Sequence, residues 1–345
     1  MENTTHPNVI TKWVKISLLG VGQCALSGNL ISGGLILAAI GYAHWQAALW
    51  FWLGSLLSSL FAKALKAPDE LIDIGMYGFG GGYVGVLVGV FFMLHVPAAQ
   101  GELIMLLIMG SILVVPVTTA LTAGFAKAGI SATALPVVLV VYMFLAGFLF
   151  VSDTHHLTPE IGALLSPAAG DLTAPYTWKT FAFGTLGAYG QMFLFANPVT
   201  GGLVLAAIFV QSRIMGLMGI LGCLISLGIS MWVGIPAVKV AEGAYAFNSM
   251  LTMMALGGVF IYLDWRSFIY AVIGNVLAMW VFMAASTILA VFHLPAMVIG
   301  FAIVTALMTY SAKFFGAVRL IDMDKISIPE KSLLKDAPPL PATAS

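Results

Sequence analysis

Apolar runs cut by short polar breaks set the rhythm of this chain. They fall at 16–42, 46–64, 83–95, 102–124 and 132–151, and again at 184–211, 214–234, 250–263, 267–291 and 296–312. A helix needs ~20 apolar residues to cross ~30 Å of hydrocarbon, and most of these runs come close to or exceed that. None alternates apolar and polar residues as a membrane strand would. The pattern predicts an all-α integral membrane protein with ten transmembrane helices. Two further apolar pieces, 70–80 and 239–248, are too short to cross. They are predicted to be re-entrant half-helices, because irregular backbone at membrane depth must be enclosed by protein or by a water-filled cavity.

Polar stretches divide the rest. Residues 1–15, MENTTHPNVITKWVK, form a polar N-terminal segment and do not read as a charged-then-apolar leader with a cleavage site. Residues 152–180 are rich in Pro, Thr and charge and read as an exposed connector; residues 316–345 read as a polar, Pro-containing tail. This leaves two apolar blocks, 16–151 and 181–315.

The two blocks share a text. GQCALSGNLISGGLILAAI (22–40) and GQMFLFANPVTGGLVLAAI (190–208) agree at 11 of 19 positions, 168 residues apart. At the same offset Gln23 matches Gln191, Asn29 matches Asn197, and Tyr77-x-Phe79 matches Tyr245-x-Phe247. Further on the offset falls to 164. So long a period is no solenoid repeat; it is an internal duplication. Five spans per half is an odd number, so the halves should enter the membrane in opposite directions, with a site near the midplane where they meet. Lys12 and Lys15 before the first span, and Lys313, Arg319 and Lys325 after the last, place both termini in the cytoplasm.

Composition supports this class. The chain has 345 residues, 61% hydrophobic and 8% charged, where a soluble domain carries about 25% charged residues. Mean hydropathy is +1.03. The formal net charge is zero, which gives no argument for a nucleic-acid partner. Cys24 and Cys223 both lie in apolar segments and read as buried free thiols. His155 and His156 lack a third ligand in sequence, and no metal or cofactor is expected.

Candidate chemistry lies in the repeated polar positions. Gln23, Asn29, Gln191 and Asn197 sit inside membrane segments, where an amide is costly unless it finds partners. One copy alone would suggest helix–helix bonding; two symmetric copies suggest a lined path. Pro198 would break the helical ladder there. Gly80-x-Gly82-x-x-Gly85 matches a dinucleotide fingerprint, but no strand precedes it. Its glycines are expected to let the chain reverse, placing Phe79 and Phe247 as two walls of a flat slot. Asp69, Glu70, Asp73 and Glu242 are expected at the starts of the short re-entrant helices, where acids suit the dipole. Few ionisable groups lie deep in the spans, which disfavours an ion or proton path. The residues therefore describe a path for a small neutral polar solute.

Several segments resemble the urea transporter family: GQMFLFANPVTGG, GAYAFNSMLTMMALGGVF, HLPAMVIGFAIVTALM and IDMDKISIPEK. The resemblance implies passive, channel-like passage of urea down its gradient, in a homotrimer with one pore per protomer, within the plasma (inner) membrane. The same fold could instead pass short amides, ammonia or water, or couple transport to an ion. The family pattern, roughly LPxxTxPF in each half, has threonine at the pore centre. Here Leu294–Phe301 puts Val298 at that place, and aligning Pro136 puts Ala134 there, next to Thr133. The family often has Phe three residues after the Gln, where this chain has Leu26 and Leu194. Gly80 stands opposite Asn248. The implied solute pathway is Gln23, Leu26, Asn29, Phe79, Ala134, Gln191, Leu194, Asn197, Phe247 and Val298.

Overall fold

The computed structural model describes residues 8–90, 100–150 and 173–332. Most of the expected connector lies outside them, as do His95, His155, His156, the end of the expected span 83–95 and the outer parts of both terminal segments. Among the described residues the architecture is all-helical, with one isolated antiparallel bridge between Ile261 and Leu320. The first half comprises α1 (Val9–Gln23), α2 (Leu30–Ala43), α3 (Trp45–Ala64), α4 (Asp69–Asp73), α5 (Met76–Val88), α6 (Gln100–Lys127) and α7 (Leu135–Phe150). The second comprises α8 (Trp178–Gln191), α9 (Pro198–Gln211), α10 (Arg213–Trp232), α11 (Ala237–Ala241), α12 (Phe247–Met254), α13 (Trp265–Ala290) and α14 (Ile299–Ala312). Segments within four of these, Trp45–Ala64, Leu103–Lys127, Arg213–Trp232 and Trp265–Ala290, are long and apolar enough to cross a membrane.

The sequence offset reappears in the backbone. α9, α10 and α11 begin and end 168 residues after α2, α3 and α4. Left-handed residues recur in step as well: Leu26 (φ 55°) with Leu194 (φ 67°), Gly75 (φ 80°) with Gly243 (φ 74°), and then Thr133 (φ 48°) with Met297 (φ 45°). For a residue with a Cβ this conformation costs about 1–2 kcal/mol. Its recurrence at matched positions means that the surroundings impose it on both halves.

Two expectations are corrected. Segments 16–42 and 184–211 are not single straight spans. Each is a helical hairpin, α1–α2 and α8–α9, reversing at 24–29 and 192–197. A Cβ on Gly33 would stand 2.0 Å from the Leu18 carbonyl oxygen, and one on Gly201 1.7 Å from that of Leu186, so the two arms touch along their backbones. Pro198 does not cause the break. It is the first residue of α9, where its missing N–H costs nothing, and the first half breaks at the same place with Leu30.

The glycine-rich run also differs. Its reversal is made by Gly75 alone; Gly78 to Gly85 are helical, inside α5. Gly78, Gly81, Gly82 and Gly85 are small because α3 lies against them, and Gly80 because Val114 of α6 does. A Cβ on Gly81 would meet the Gly54 carbonyl oxygen at 2.2 Å, and one on Gly85 that of Trp50 at 2.1 Å.

The halves join through α2 and α9. The Ser32 hydroxyl donates to the Ala207 carbonyl (2.7 Å), and the Thr200 hydroxyl donates to the Ala39 carbonyl (3.3 Å). Ser32 and Thr200 are offset-matched, as are Ala39 and Ala207, so the two bonds are one contact made twice. Partner numbers fall as residue numbers rise, hence α2 and α9 run antiparallel.

After α14 the chain folds back. Tyr262 N–H donates to the Arg319 carbonyl and Ile321 N–H to the Phe260 carbonyl, both at 2.9 Å. Pro329 lies against Gly258, and Glu330 accepts from the Ile214 N–H in the first turn of α10 (3.1 Å).

Candidate functional site

A small cavity opens where the halves meet. α7 supplies Ala134, from the residue capping its start, with Val137 and Val138 one turn on. α5 supplies Tyr83 and Leu87. The second half contributes Gln191, Met192 and Leu194 from the hairpin break, Phe247 from the start of α12, and Met297 and Val298 from the turn before α14. The wall is almost wholly apolar, and no carboxylate, amine, guanidinium or imidazole lines it. Among the described residues no group of three or more His, Cys, Asp or Glu side chains comes together as a metal site.

Five of the ten sequence candidates therefore line one cavity: Ala134, Gln191, Leu194, Phe247 and Val298. Gln23, Leu26, Asn29, Phe79 and Asn197 do not. Of the two aromatic rings, Phe247 lines this cavity and Phe79 does not. Phe247 meets Phe282 edge-on (centroids 5.6 Å, 78°), whereas Phe79 meets Tyr83 (5.6 Å, 83°).

The two asparagines serve a structural end. Asn29 caps α2, accepting the Ile31 N–H at 2.8 Å, and Asn197 caps α9, accepting the Val199 N–H at 2.8 Å. Each satisfies a helix-start donor that has no intrahelical partner.

The glutamines behave alike. Gln23 Nε2 donates to the Ile74 carbonyl (3.0 Å) and Gln191 Nε2 to the Glu242 carbonyl (3.4 Å), each 51 residues ahead. A carbonyl can only accept, so the amide nitrogen must face it. The carboxamide oxygen is turned the other way, and both side chains are partly accessible.

Other polar groups around the cavity hold its walls. Tyr83 Oη donates to the Met192 carbonyl (2.8 Å) and Tyr142 Oη to that of Pro295 (2.8 Å). Buried Asn248 donates to the Met297 carbonyl (3.0 Å) and accepts the Phe301 N–H (2.8 Å). Thr133, beside Ala134, has a buried hydroxyl with no hydrogen-bond partner among the described residues, and it is not on the cavity wall.

The acids also fall differently from expectation. Asp69 and Glu70 do open α4, but Asp73 closes it, paired with Lys12 at 3.0 Å, and Glu242 follows the last residue of α11. Lys63 beside Asp69 (2.6 Å), through its hydrogen bond and then its charge, holds that carboxyl below the usual range. Cys24 and Cys223 are buried and unpaired.

Sequence reasoning missed Tyr83, Leu87, Val137, Val138, Met192 and Met297. A signal was present. Ala134, Val137 and Val138 are spaced i, i+3, i+4 on one helix face, as Phe79, Tyr83 and Leu87 are spaced by four.

The sequence profile of the urea transporter family matches residues 14–313. The chain is 27% identical over 310 residues to urea transporter 1 of Mus musculus, covering 87% of this chain and 77% of that protein. It is 25% identical over 328 residues to urea transporter 1 of Ovis aries, covering 93% of this chain and 82% of that protein.

Proposed function

The chain belongs to the urea transporter family, and from that premise we propose a route for its solute. The protein is a multi-pass membrane protein that transports urea; it is not an enzyme. The route runs down the urea gradient past Gln23 and Leu26 in one hairpin break and Gln191 and Leu194 in the other. Phe79 and Phe247 flank these breaks, and Ala134 and Val298 form the narrow middle. One observation carries this reading: both glutamines are fixed through nitrogen to a backbone carbonyl. Each thus leaves an oxygen for a solute N–H, Gln191 on the wall of a cavity that holds no ionised group and Gln23 outside it. Nothing there would bind or repel an ion, which suits passive, channel-like movement of a neutral molecule.

The reading includes inverted repeats spanning 16–151 and 181–315. The reciprocal Ser32–Ala207 and Thr200–Ala39 bonds support it. Two symmetry-related helices that run antiparallel are related by an axis perpendicular to them, which for membrane helices lies in the membrane plane. Inversion requires an odd number of crossings per repeat and hence an even total. Both termini then share one side, cytoplasmic by the lysines and arginine that flank them. We assign the protein to the plasma (inner) membrane as a homotrimer in lipid, on the family resemblance, with one pore per protomer and no cofactor.

The test is stopped-flow light scattering on proteoliposomes under an inward urea gradient. Wild-type protein should admit urea well above protein-free vesicles, with no dependence on a sodium or proton gradient. Gln23→Leu combined with Gln191→Leu should lower that flux at least about tenfold, since two polar contacts worth about 1 kcal/mol each are removed, while the protein stays monodisperse. Flux that requires an ion gradient, or a folded double variant that conducts normally, refutes the route.

A further inference from the structure

We propose that the cavity between the halves favours short primary amides, with one amino group and one alkyl end, over urea. The inference rests on the reading that this cavity lies on the conduction path.

It follows from an inventory of hydrogen-bonding groups. Only two lining side chains are polar, Tyr83 and Gln191. The Tyr83 hydroxyl is buried and already donates to the Met192 carbonyl. The Met297 carbonyl already accepts from Asn248, and both polar atoms of Asn248 are engaged. Among the lining side chains, what remains to meet a solute is the carboxamide oxygen of Gln191, an acceptor. Ala134, Val138 and Val298, which also line the cavity, present only carbon.

Urea carries an amino group on both sides of its carbonyl. If one side pairs with Gln191, the other faces methyl groups and loses the water it had outside. A donor buried without a partner costs roughly a factor of 5 to 150. A short amide such as acetamide replaces that second amino group with a methyl. Its amino group takes the Gln191 oxygen and its methyl meets the valines, where burial of a methyl gains roughly a further fourfold. Both solutes are flat and of similar size, so the difference comes from the wall's chemistry and not from a size limit.

Position 298 offers a direct test, because Val298→Thr exchanges a methyl for a hydroxyl at nearly constant volume. Val298 stands at the N-cap of α14 with no side-chain cap bond. The Phe301 N–H, which a cap hydroxyl would otherwise take, is already held by Asn248, so the new hydroxyl is left to serve a solute. Ala134→Ser is a second, smaller change, in the other half of the chain.

The experiment is stopped-flow light scattering on proteoliposomes of the full chain, with urea and acetamide run separately and the rate of protein-free vesicles subtracted for each. The expected wild-type result is protein-dependent acetamide flux at least about tenfold above that of urea. Val298→Thr and Ala134→Ser should each raise urea flux severalfold and lower the acetamide-to-urea ratio. Wild-type urea flux equal to or above that of acetamide overturns the inference and leaves the urea route intact. So does a high ratio that neither variant moves, because the preference would then arise outside this cavity. Protein-dependent flux of neither solute, from protein shown monodisperse before reconstitution, overturns the route itself and the inference with it.

Discussion

Replacing Asn248 by alanine should destabilise the protein more than any other single-amide change near the cavity. Asn248 is fully buried and holds both partners on one turn: its nitrogen donates to the Met297 carbonyl (3.0 Å) and its oxygen accepts the Phe301 N–H (2.8 Å). Phe301 is the third residue of α14, where the N–H has no intrahelical partner, and Val298 at the N-cap supplies none. The side chain thus caps α14 from another helix. It also pins a turn that contains Met297 in a left-handed conformation (φ 45°). Each net bond is worth about 1 kcal/mol, or about 0.6 kcal/mol in a membrane setting, and each buried group left alone costs about 1–3 kcal/mol. The expected loss is therefore about 2–4 kcal/mol. Denaturant titration in mixed micelles, followed by tryptophan fluorescence, would read it directly. The freed turn carries Met297 and Val298 on the cavity wall, so urea flux in proteoliposomes should change too, although Gln191 is untouched. A loss under about 0.5 kcal/mol, with flux unchanged, would refute the capping argument.

Three further outcomes follow from the same structure. Gly80→Asn alone should cost about 1–3 kcal/mol by overpacking, since a Cβ there would meet Val114 Cγ2 at 2.9 Å; adding Val114→Ala, which copies the Asn248 and Ala278 pair of the other half, should recover most of it in the same titration. Glu330→Gln should loosen the tail on α10 at neutral pH by about 0.5–1 kcal/mol, seen as faster proteolysis or hydrogen exchange beyond residue 319. In the wild type, burial pushes the Glu330 carboxyl up, but the Ile214 N–H and the Ser212 hydroxyl outweigh this and hold it below its ordinary value; the clamp is therefore complete above the ordinary carboxylate pKa near 4.5 and should be lost as pH falls through the lower folded-state value.

Much of the fold was legible because hydrophobic length and duplication are properties of the chain itself. Helices such as α3 and α10 lie within a residue or two of their apolar runs, since nothing interrupts them. The hairpins were not legible. At 24–29 and 192–197 the residues that reverse the chain include Leu26 and Leu194 in left-handed conformations, and leucine carries no local signal for that geometry. Contact between backbones imposes it, through Gly33 on Leu18 and Gly201 on Leu186. Half of the candidate site was legible for a related reason. A buried amide announces a partner but not which one. Asn29 and Asn197 found theirs two residues ahead in a helix start, whereas Gln23 and Gln191 found theirs 51 residues ahead. Only the second kind of partner ties the amide to a long-range feature such as a path.

The two halves share a backbone yet have exchanged their contents in pairs. Phe51 covers Gly82 in the first half, where the second has Gly219 and Met250 at the matched positions. Gly80 lies under Val114 in the first, where the second has Asn248 and Ala278. In each case a large residue and a small one have traded places between matched positions. A close-packed interior allows this, because filled volume must be kept while its owner need not be. The exchange has chemical consequences. Asn248 brings a cap for α14 that glycine cannot provide, and Tyr83, whose matched residue is Leu251, brings the hydroxyl that holds Met192. The cavity draws Gln191 and Phe247, with Leu194 and Val298, from the second half, and Tyr83, Leu87, Ala134, Val137 and Val138 from the first. Duplication supplied a symmetric frame, and exchanges of large and small residues within it let the contents of the two halves differ.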